Sequence, residues 1–296
     1  MGRYYYLIAG LPDIGIDDNK LPFTVSSFRE ETEEQLSPAD KVLTDLFYRK
    51  FDNHNLLTQC CPEKAWDTRG SITPEVFEEL TGSLRGERED LAGFLSRHKR
   101  FPLYMIHFLR QYLEETSDDN KIPPPPSLYE DRLASLYYAC AMTCGNAFVS
   151  QWFELNLNIR NLLSAFTARK YGIEGARVIV GDNEVAHLLR TSHARDFDLE
   201  DLLHYLPAVH RIAEETDLCL REKKIDQLRW EWLEEHTFFL TFDLESVFAY
   251  LCKLDLLERW VNLDKVTGEQ TFRSLIGVLK KGGTHALADF RSETKR

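Results

Sequence analysis

The chain is poor in the residues that mark several classes of protein. It has 15 glycines and 11 prolines in 296 residues, too few for a collagen-like or low-complexity protein. Its six cysteines are too few and too irregularly spaced for a disulfide scaffold or a zinc finger. Because disulfides are rare in reducing compartments, we expect reduced thiols in a cytoplasmic protein.

Long apolar runs and an excess of basic residues are also missing. The longest apolar runs, such as YYYLIAGL, fall far short of the roughly 20 residues that a transmembrane helix needs. Lys and Arg number 36 against 48 Asp and Glu, which leaves a formal charge of −12. Nucleic-acid binding needs clustered positive charge, so nucleic acid is not expected as a partner. We likewise expect no direct membrane span.

The common motifs of nucleotide-binding enzymes, hydrolases and zinc proteases are missing as well, since no GxxxxGK[ST], GxGxxG, GxSxG or HExxH occurs. The one catalytic alternative is a metal site. Glu184 with His187, and Asp201 with His204, each place a carboxylate and an imidazole one helical turn apart. Such pairs occur in carboxylate-bridged di-metal oxidases built on helical bundles. Solvated helix faces explain the pairs more simply, so we expect no catalytic residue, cofactor or resident metal.

The sequence is rich in helical periodicity. Apolar residues recur at three- and four-residue spacing through most of the chain, which predicts an all-α fold. We expect long antiparallel helices arranged in repeated helical units. Strand content should be minor at most, confined to short extended elements near Tyr5 and at residues 176–180 (ARVIV).

A run of four prolines marks the clearest boundary, within residues 117–126, because consecutive prolines cannot lie inside a helix. It separates an N-terminal helical part, residues 1–122, from a C-terminal part, residues 127–296. The two parts can also form one continuous domain. The longest helical pattern covers residues 127–171 and predicts one long helix or two collinear helices joined near Gly145. A sharp reversal of direction in this span would defeat both the repeat and the family resemblance described next.

Part of this pattern resembles a known family. The segment WFELNLNIRNLLSAFTARKYG, from Trp152 to Gly172, is similar to the signature of the C-type (also called d-type) subunits of V-type ATPases. The matching positions are Glu154, Leu157, Asn161, Leu162, Ala165, Arg169 and Gly172. Weaker echoes occur at residues 51–57, where Asn55 aligns with Asn161, and at residues 245–263, with Glu258 and Asn262 as polar positions. The signature and its two echoes, three related segments along the chain, predict an internal repeat.

The resemblance implies a non-catalytic role. These C-type proteins are all-helical funnels that sit on the membrane rotor ring, receive the central stalk and transmit torque between ATP hydrolysis and ion movement. The whole chain also resembles a bacterial family whose genes lie among those of V-type ATPases. The implied partners are the proteins of the ring and the central stalk, and the implied place is cytoplasmic, peripheral to the inner membrane. A helical scaffold for other partners remains an alternative, since fold alone does not select a function.

The most specific expectation concerns Asn161. Asparagine costs about half a kcal/mol relative to alanine inside a helix, so its presence there needs a compensating contact. We expect Asn161 to be buried and hydrogen-bonded to another helix, with Asn55 in the equivalent place. Glu154 and Arg169 lie too far apart along the helix to pair, so each should reach a different neighbour. Gly172 suits a helix C-terminal cap.

Overall fold

The computed structural model of the chain describes residues 3–60, 64–86, 88–117 and 124–263. Within these ranges the chain forms twelve α-helices and one 3₁₀ turn, and no β-strand. The predicted all-α class is therefore confirmed. The expected C-terminal part, residues 127–296, extends past the described ranges, because residues 264–296 lie outside them.

The helices lie on both sides of the proline run. Those before it are α1 (Tyr5–Ala9), α2 (Val25–Glu33), α3 (Pro38–Cys60), α4 (Pro74–Arg85), α5 (Arg88–Arg97) and α6 (Leu103–Thr116). Those after it are α7 (Pro126–Met142), α8 (Ala147–Tyr171), α9 (Glu184–Thr191), α10 (Leu206–Glu214), α11 (Leu218–Thr237) and α12 (Leu244–Val261). Three helices, α3, α4 and α7, begin at a proline, whose missing N–H would have had no helical partner there.

The span 127–171 forms two antiparallel helices, so the prediction of one long helix or a collinear pair is wrong. α7 ends at Met142, and the chain reverses direction before α8 begins. Arg160 of α8 forms an ion pair of 2.5 Å with Asp131 of α7. The rings of Phe153 and Tyr137 pack edge to face nearer the turn, 5.4 Å apart. Partners closer to the end of α7 therefore lie closer to the start of α8, as in a hairpin.

The reversal has a local cause in the residues between α7 and α8. Gly145 has φ of 81°, a left-handed conformation that glycine adopts without a steric penalty. The next residue, Asn146, caps α8 by accepting a hydrogen bond from Val149 N at 3.0 Å. One helix thus stops and another starts within four residues. Gly172 ends α8 as expected, with φ of 67° and Ile173 N donating to Ala168 O at 2.9 Å.

Neither predicted extended element is a strand. Tyr5 lies in α1, and Gly175–Arg177 forms the 3₁₀ turn. Ile179 and Val180 that follow are buried but irregular. The Val180 backbone bonds to a side chain of α8, described below, where a strand would have bonded to another strand. The β-branched residues in this segment correctly indicated burial. Among the described residues, however, no neighbouring strand is present to pair with the segment, so it is not a strand.

Three helices that run in the same direction, α3, α8 and α12, form the centre of the fold; we call them the central helices. Phe248 of α12 is fully buried and packs edge to face against Phe47 of α3, at 6.5 Å. It packs in the same way against Phe148 of α8, at 6.3 Å. Farther along both helices, Lys50 of α3 pairs with Asp255 of α12 at 2.5 Å, so α3 and α12 are parallel.

Three outer helices, α7, α11 and α2, alternate with the central ones. α7 lies between α3 and α8, α11 between α8 and α12, and α2 between α12 and α3. The contacts that place them are Tyr137 with Leu46, Asp131 with Arg160, Trp232 with Phe148, Trp260 with Asp226, Val25 with Glu258, and Arg29 with Asp45. Residues before and after the proline run therefore share one hydrophobic core.

Candidate functional site

Asn161 of α8 is fully buried and both ends of its amide are bonded to one residue. Its Nδ2 donates to the backbone oxygen of Val180 at 2.7 Å, and its Oδ1 accepts from Val180 N at 2.9 Å. The predicted burial is confirmed. The predicted partner is wrong, because Val180 belongs to the irregular segment that leads into α9 and not to a helix. Buried backbone groups without a helix or strand partner need such a side chain.

Asn55 of α3 makes the same pair of bonds, as expected for the equivalent position. It is also fully buried, its Nδ2 donates to Asp67 O at 2.8 Å, and its Oδ1 accepts from Asp67 N at 2.8 Å. Asp67 lies in the segment that leads into α4. Two central helices thus hold their following segments through the same asparagine geometry.

A second shared position lies one turn earlier on each helix, and the sequence motif did not include it. Asp52 of α3 accepts hydrogen bonds from Ser71 N and Ile72 N, at 2.6 and 2.9 Å, just before α4. Asn158 of α8 accepts from Nδ2 of Asn183 at 2.8 Å, and Asn183 caps α9. The signal was present as Asp-x-x-Asn in one helix and Asn-x-x-Asn in the other.

The third central helix carries a related pair, Asp255 and Glu258, at the same spacing. Glu258 is buried, and its carboxylate accepts a hydrogen bond from Val25 N, the first residue of α2, at 2.7 Å. Glu258 and Asn161 lie equally far from the caps of their helices, Asp243 and Asn146. Each central helix therefore fixes the entry of a shorter helix: α4, α9 or α2.

The remaining motif positions of α8 divide between core and surface. Leu157, Leu162 and Ala165 are buried. Glu154 is exposed and forms no ion pair within the described ranges, but it lies near Tyr205 before α10, where burial and then the charge of Glu154 raise the pKa of Tyr205. Arg169 contacts a different neighbour, the loop after α9.

Arg169 ties the end of α8 to the loop after α9. Its guanidinium donates to Arg195 O at 2.8 Å and to Ser192 O at 3.3 Å, and it lies 3.4 Å from the centre of the Phe197 ring. Partial removal from water lowers the Arg169 pKa. Phe197 has φ of 59°, a strained conformation for an aromatic residue, and the contact holds it in place.

The four metal-ligand candidates are not brought together. Glu184 and His187 are exposed on α9, whereas Asp201 and His204 are exposed in turns before α10, not on a helical face. Among the residues that the structure describes, no group of three or more His, Cys, Asp and Glu side chains is placed to hold a metal ion. The spacing that suggested a di-metal centre therefore has no counterpart in this part of the fold.

The end of the molecule at which the central helices begin is tied together by polar contacts. Tyr4 N donates to Phe242 O, just before α12, at 2.7 Å. The Tyr4 hydroxyl donates to Asp40 and accepts from Ser37 N at 3.2 Å, both at the start of α3. Burial and the bond to Asp40 raise the Tyr4 pKa.

A second contact ties the start of α8 to the start of α12. Asn146 Nδ2 donates to the buried Glu245 carboxylate at 2.9 Å. Together with the Tyr4 contacts, it makes one connected surface from the beginnings of all three central helices; we call this the helix-start surface.

No described helix combines the length and the apolar character needed to cross a membrane. Comparison with curated proteins gave no match. A family model does match, described as a protein of unknown function (DUF2764), and it aligns with residues 1–283. Because this match covers nearly the whole sequence, the chain belongs to the DUF2764 family.

Proposed function

We propose that this chain is a non-catalytic adaptor of a bacterial V-type ATPase that couples the central stalk to the membrane rotor ring. The observation that carries the proposal is the set of three parallel central helices with related buried polar sites, Asn55, Asn161 and Glu258. Because the three helices are parallel, the three units are arranged around a common axis. Such a body suits transmission of torque along that axis, since each unit is braced against the centre by buried hydrogen bonds.

The resemblance of Trp152–Gly172 to the signature of the C-type V-ATPase proteins is the second support. All of this segment up to Tyr171 lies in α8, and Gly172 caps it. Asn161 and Arg169 both have defined bonding roles there. The sharp reversal at Gly145 is the outcome expected to defeat both the long-helix repeat and the family assignment, so the resemblance supports the proposal only through its motif positions within α8. The repeat that supports the proposal is shorter: a central helix holds the entry of a shorter helix, which follows α3 and α8 in the chain but precedes α12.

The proposal places the chain on the cytoplasmic side of the membrane, held there by the ATPase and not by a span of its own. The formal charge of −12 favours partners with basic contact surfaces. The di-metal oxidase gains no support, because its candidate ligands are exposed on separate elements. A helical scaffold for other partners differs from the proposal only in what it binds, so partner identity decides between them.

The test is affinity purification of the full-length chain, tagged at its C-terminus, from membranes solubilised in a mild detergent. Mass spectrometry should recover ring and central-stalk proteins, with about one copy of this chain for each central stalk. A strain that expresses the tag on an unrelated helical protein is the control. If the chain reproducibly recovers other proteins but no component of the ATPase, the scaffold hypothesis is favoured and the adaptor role is overturned.

A further inference from the structure

Four aromatic side chains stand exposed on the helix-start surface. Tyr6 of α1 is 95 % exposed and its neighbour Tyr5 is 45 % exposed. Phe238 and Phe239, which follow α11, are 75 % and 89 % exposed. Large apolar side chains gathered at one place on a surface mark an interaction site more often than scattered ones do. We call these four residues the aromatic cluster.

The backbone beneath the aromatic cluster is held in place. Tyr5 packs on Phe242 with ring centres 4.6 Å apart, beside the Tyr4–Phe242 backbone bond. Leu240 N donates to Thr237 O at 2.9 Å, and the Ser246 hydroxyl donates to Leu240 O. Aromatic side chains on an ordered backbone lose little conformational entropy when a partner covers them. Such anchors dominate the energetics of protein interfaces.

Acidic side chains border the cluster. The last two turns of α11, directly before Phe238, expose Glu231, Glu234 and Glu235. Two cations also lie close: Arg3, whose guanidinium donates to the Tyr5 hydroxyl at 2.9 Å, and Lys253, which pairs with Glu234 at 3.3 Å. Among the described residues, Glu231 and Glu235 therefore carry the acidic charge that has no ion-pair partner. Negative charge around an apolar centre repels the anionic lipids of a cytoplasmic leaflet. It attracts a protein surface that combines apolar residues with Lys and Arg.

We infer that the aromatic cluster is the docking surface for a protein partner whose contact face is apolar at its centre and basic at its rim. This inference rests on the proposed function, in which that partner is another component of the ATPase. The cluster lies beside the start of α12, and the bonds of Tyr4 and Asn146 join that start to the starts of α3 and α8, so a partner seated on it would be coupled to all three units.

The test repeats the affinity purification with the full-length double variant Phe238→Ser/Phe239→Ser. We expect recovery of ATPase components to fall at least tenfold, and Glu231→Lys/Glu235→Lys to lower it in the same direction. The matched control is Tyr171→Ser/Ile173→Ser. It removes two exposed apolar side chains at the far end of α8 and should leave recovery unchanged. Circular dichroism and thermal melting confirm that each variant folds like the wild type.

The outcomes separate the inference from the proposed function. Equal recovery by the wild type and by Phe238→Ser/Phe239→Ser would overturn the docking surface and leave the adaptor role standing. A wild-type chain that recovers no ATPase component would overturn both. Flotation with phosphatidylglycerol vesicles that depends on Phe238 and Phe239 would replace the protein partner with a membrane. A dimer in light scattering that the same variant abolishes would replace it with a second copy of the chain.

Discussion

The side-chain amide of Asn161 takes both backbone hydrogen bonds of Val180, and the amide of Asn55 does the same for Asp67. An amide can mimic a strand edge in this way because it carries one donor and one acceptor side by side. Both bonds are made by the segment that follows a central helix, at the point where that segment packs back against the helix. They fix the register of two units that share little sequence outside the motif.

Replacing Asn161 with leucine should destabilise the protein by about 1–3 kcal/mol, because the buried N–H and C=O of Val180 would be left unpaired. Urea unfolding followed by circular dichroism measures the loss. The matched control is Asn156→Ala in the same helix. Its amide bonds only to Trp152 O one turn back, and alanine favours the helix, so stability should stay within about 0.5 kcal/mol or rise. Equal effects of the two changes would show that the Asn161–Val180 bonds do not hold the unit.

Glycines in the two held segments should resist substitution. Gly181 has φ of 78°, and a Cβ there would lie 3.0 Å from a Leu157 methyl group. A Cβ on Gly70 would lie 2.7 Å from Nδ2 of Asn55. Alanine at either position should therefore lower the free energy of unfolding by more than about 1 kcal/mol. Gly82→Ala is the control, since Gly82 lies inside α4 with nothing within 4 Å of the added methyl, and it should stabilise by about 0.5–1 kcal/mol. The opposite ordering in thermal melts would contradict the close approach of these segments.

The described cysteines should differ in reactivity toward a thiol reagent. Cys219 is exposed and should react first. Cys140 is also exposed, but the thiol itself is partly removed from water, which raises its pKa. Because less of the thiol is ionised, Cys140 should react more slowly. Cys252 is buried between central helices, where burial raises its pKa well above the usual value, so it should react only when the protein unfolds. Labelling followed by peptide mass spectrometry gives the order, and early labelling of Cys252 would contradict the packing of α12.

Stability should fall at high pH partly through Tyr205. Burial raises its pKa to about 12, while an unfolded tyrosine titrates near 10. The neutral phenol is therefore favoured in the folded state. Its contribution is complete below pH 10 and is lost as the pH rises toward 12.

The variant Tyr205→Phe should show a shallower loss of unfolding free energy between pH 10 and 12 in urea titrations. It also loses the hydrogen bond from Asn158, so its stability at pH 8 should be lower than that of the wild type. Tyr171→Phe changes an exposed tyrosine and should leave the slope unchanged. Identical slopes for wild type and Tyr205→Phe would rule out the buried phenol as a cause.

The parts of the fold that follow from local physics could be predicted from the sequence. Helical periodicity, the proline starts and the cap at Gly172 each depend on residues within one or two turns. The burial of Asn161 could also be predicted, because a polar residue inside an apolar helical pattern needs a hydrogen-bond partner. Its partner Val180 could not, since nothing local relates an amide to a backbone segment 19 positions later.

The direction of the chain at Gly145 was likewise open. Glycine permits a kink and a reversal alike, and periodicity is the same for collinear and antiparallel helices. The choice is made by long-range packing, such as Phe153 against Tyr137. For Asp201 and His204 the spacing held no information about location, because the same spacing occurs in a turn. The exposure of the aromatic cluster could not be predicted from the sequence, because periodicity does not distinguish an exposed Phe239 from a buried one.

The most direct test of the adaptor role is electron cryo-microscopy of the ATPase purified through a tag on this chain. If this chain is the adaptor, density that fits α3, α8 and α12 should lie between the membrane ring and the central stalk, with Phe238 and Phe239 against a neighbouring protein of the complex. A ring and stalk in direct contact, with this chain elsewhere in the complex or missing from it, would rule out the adaptor role.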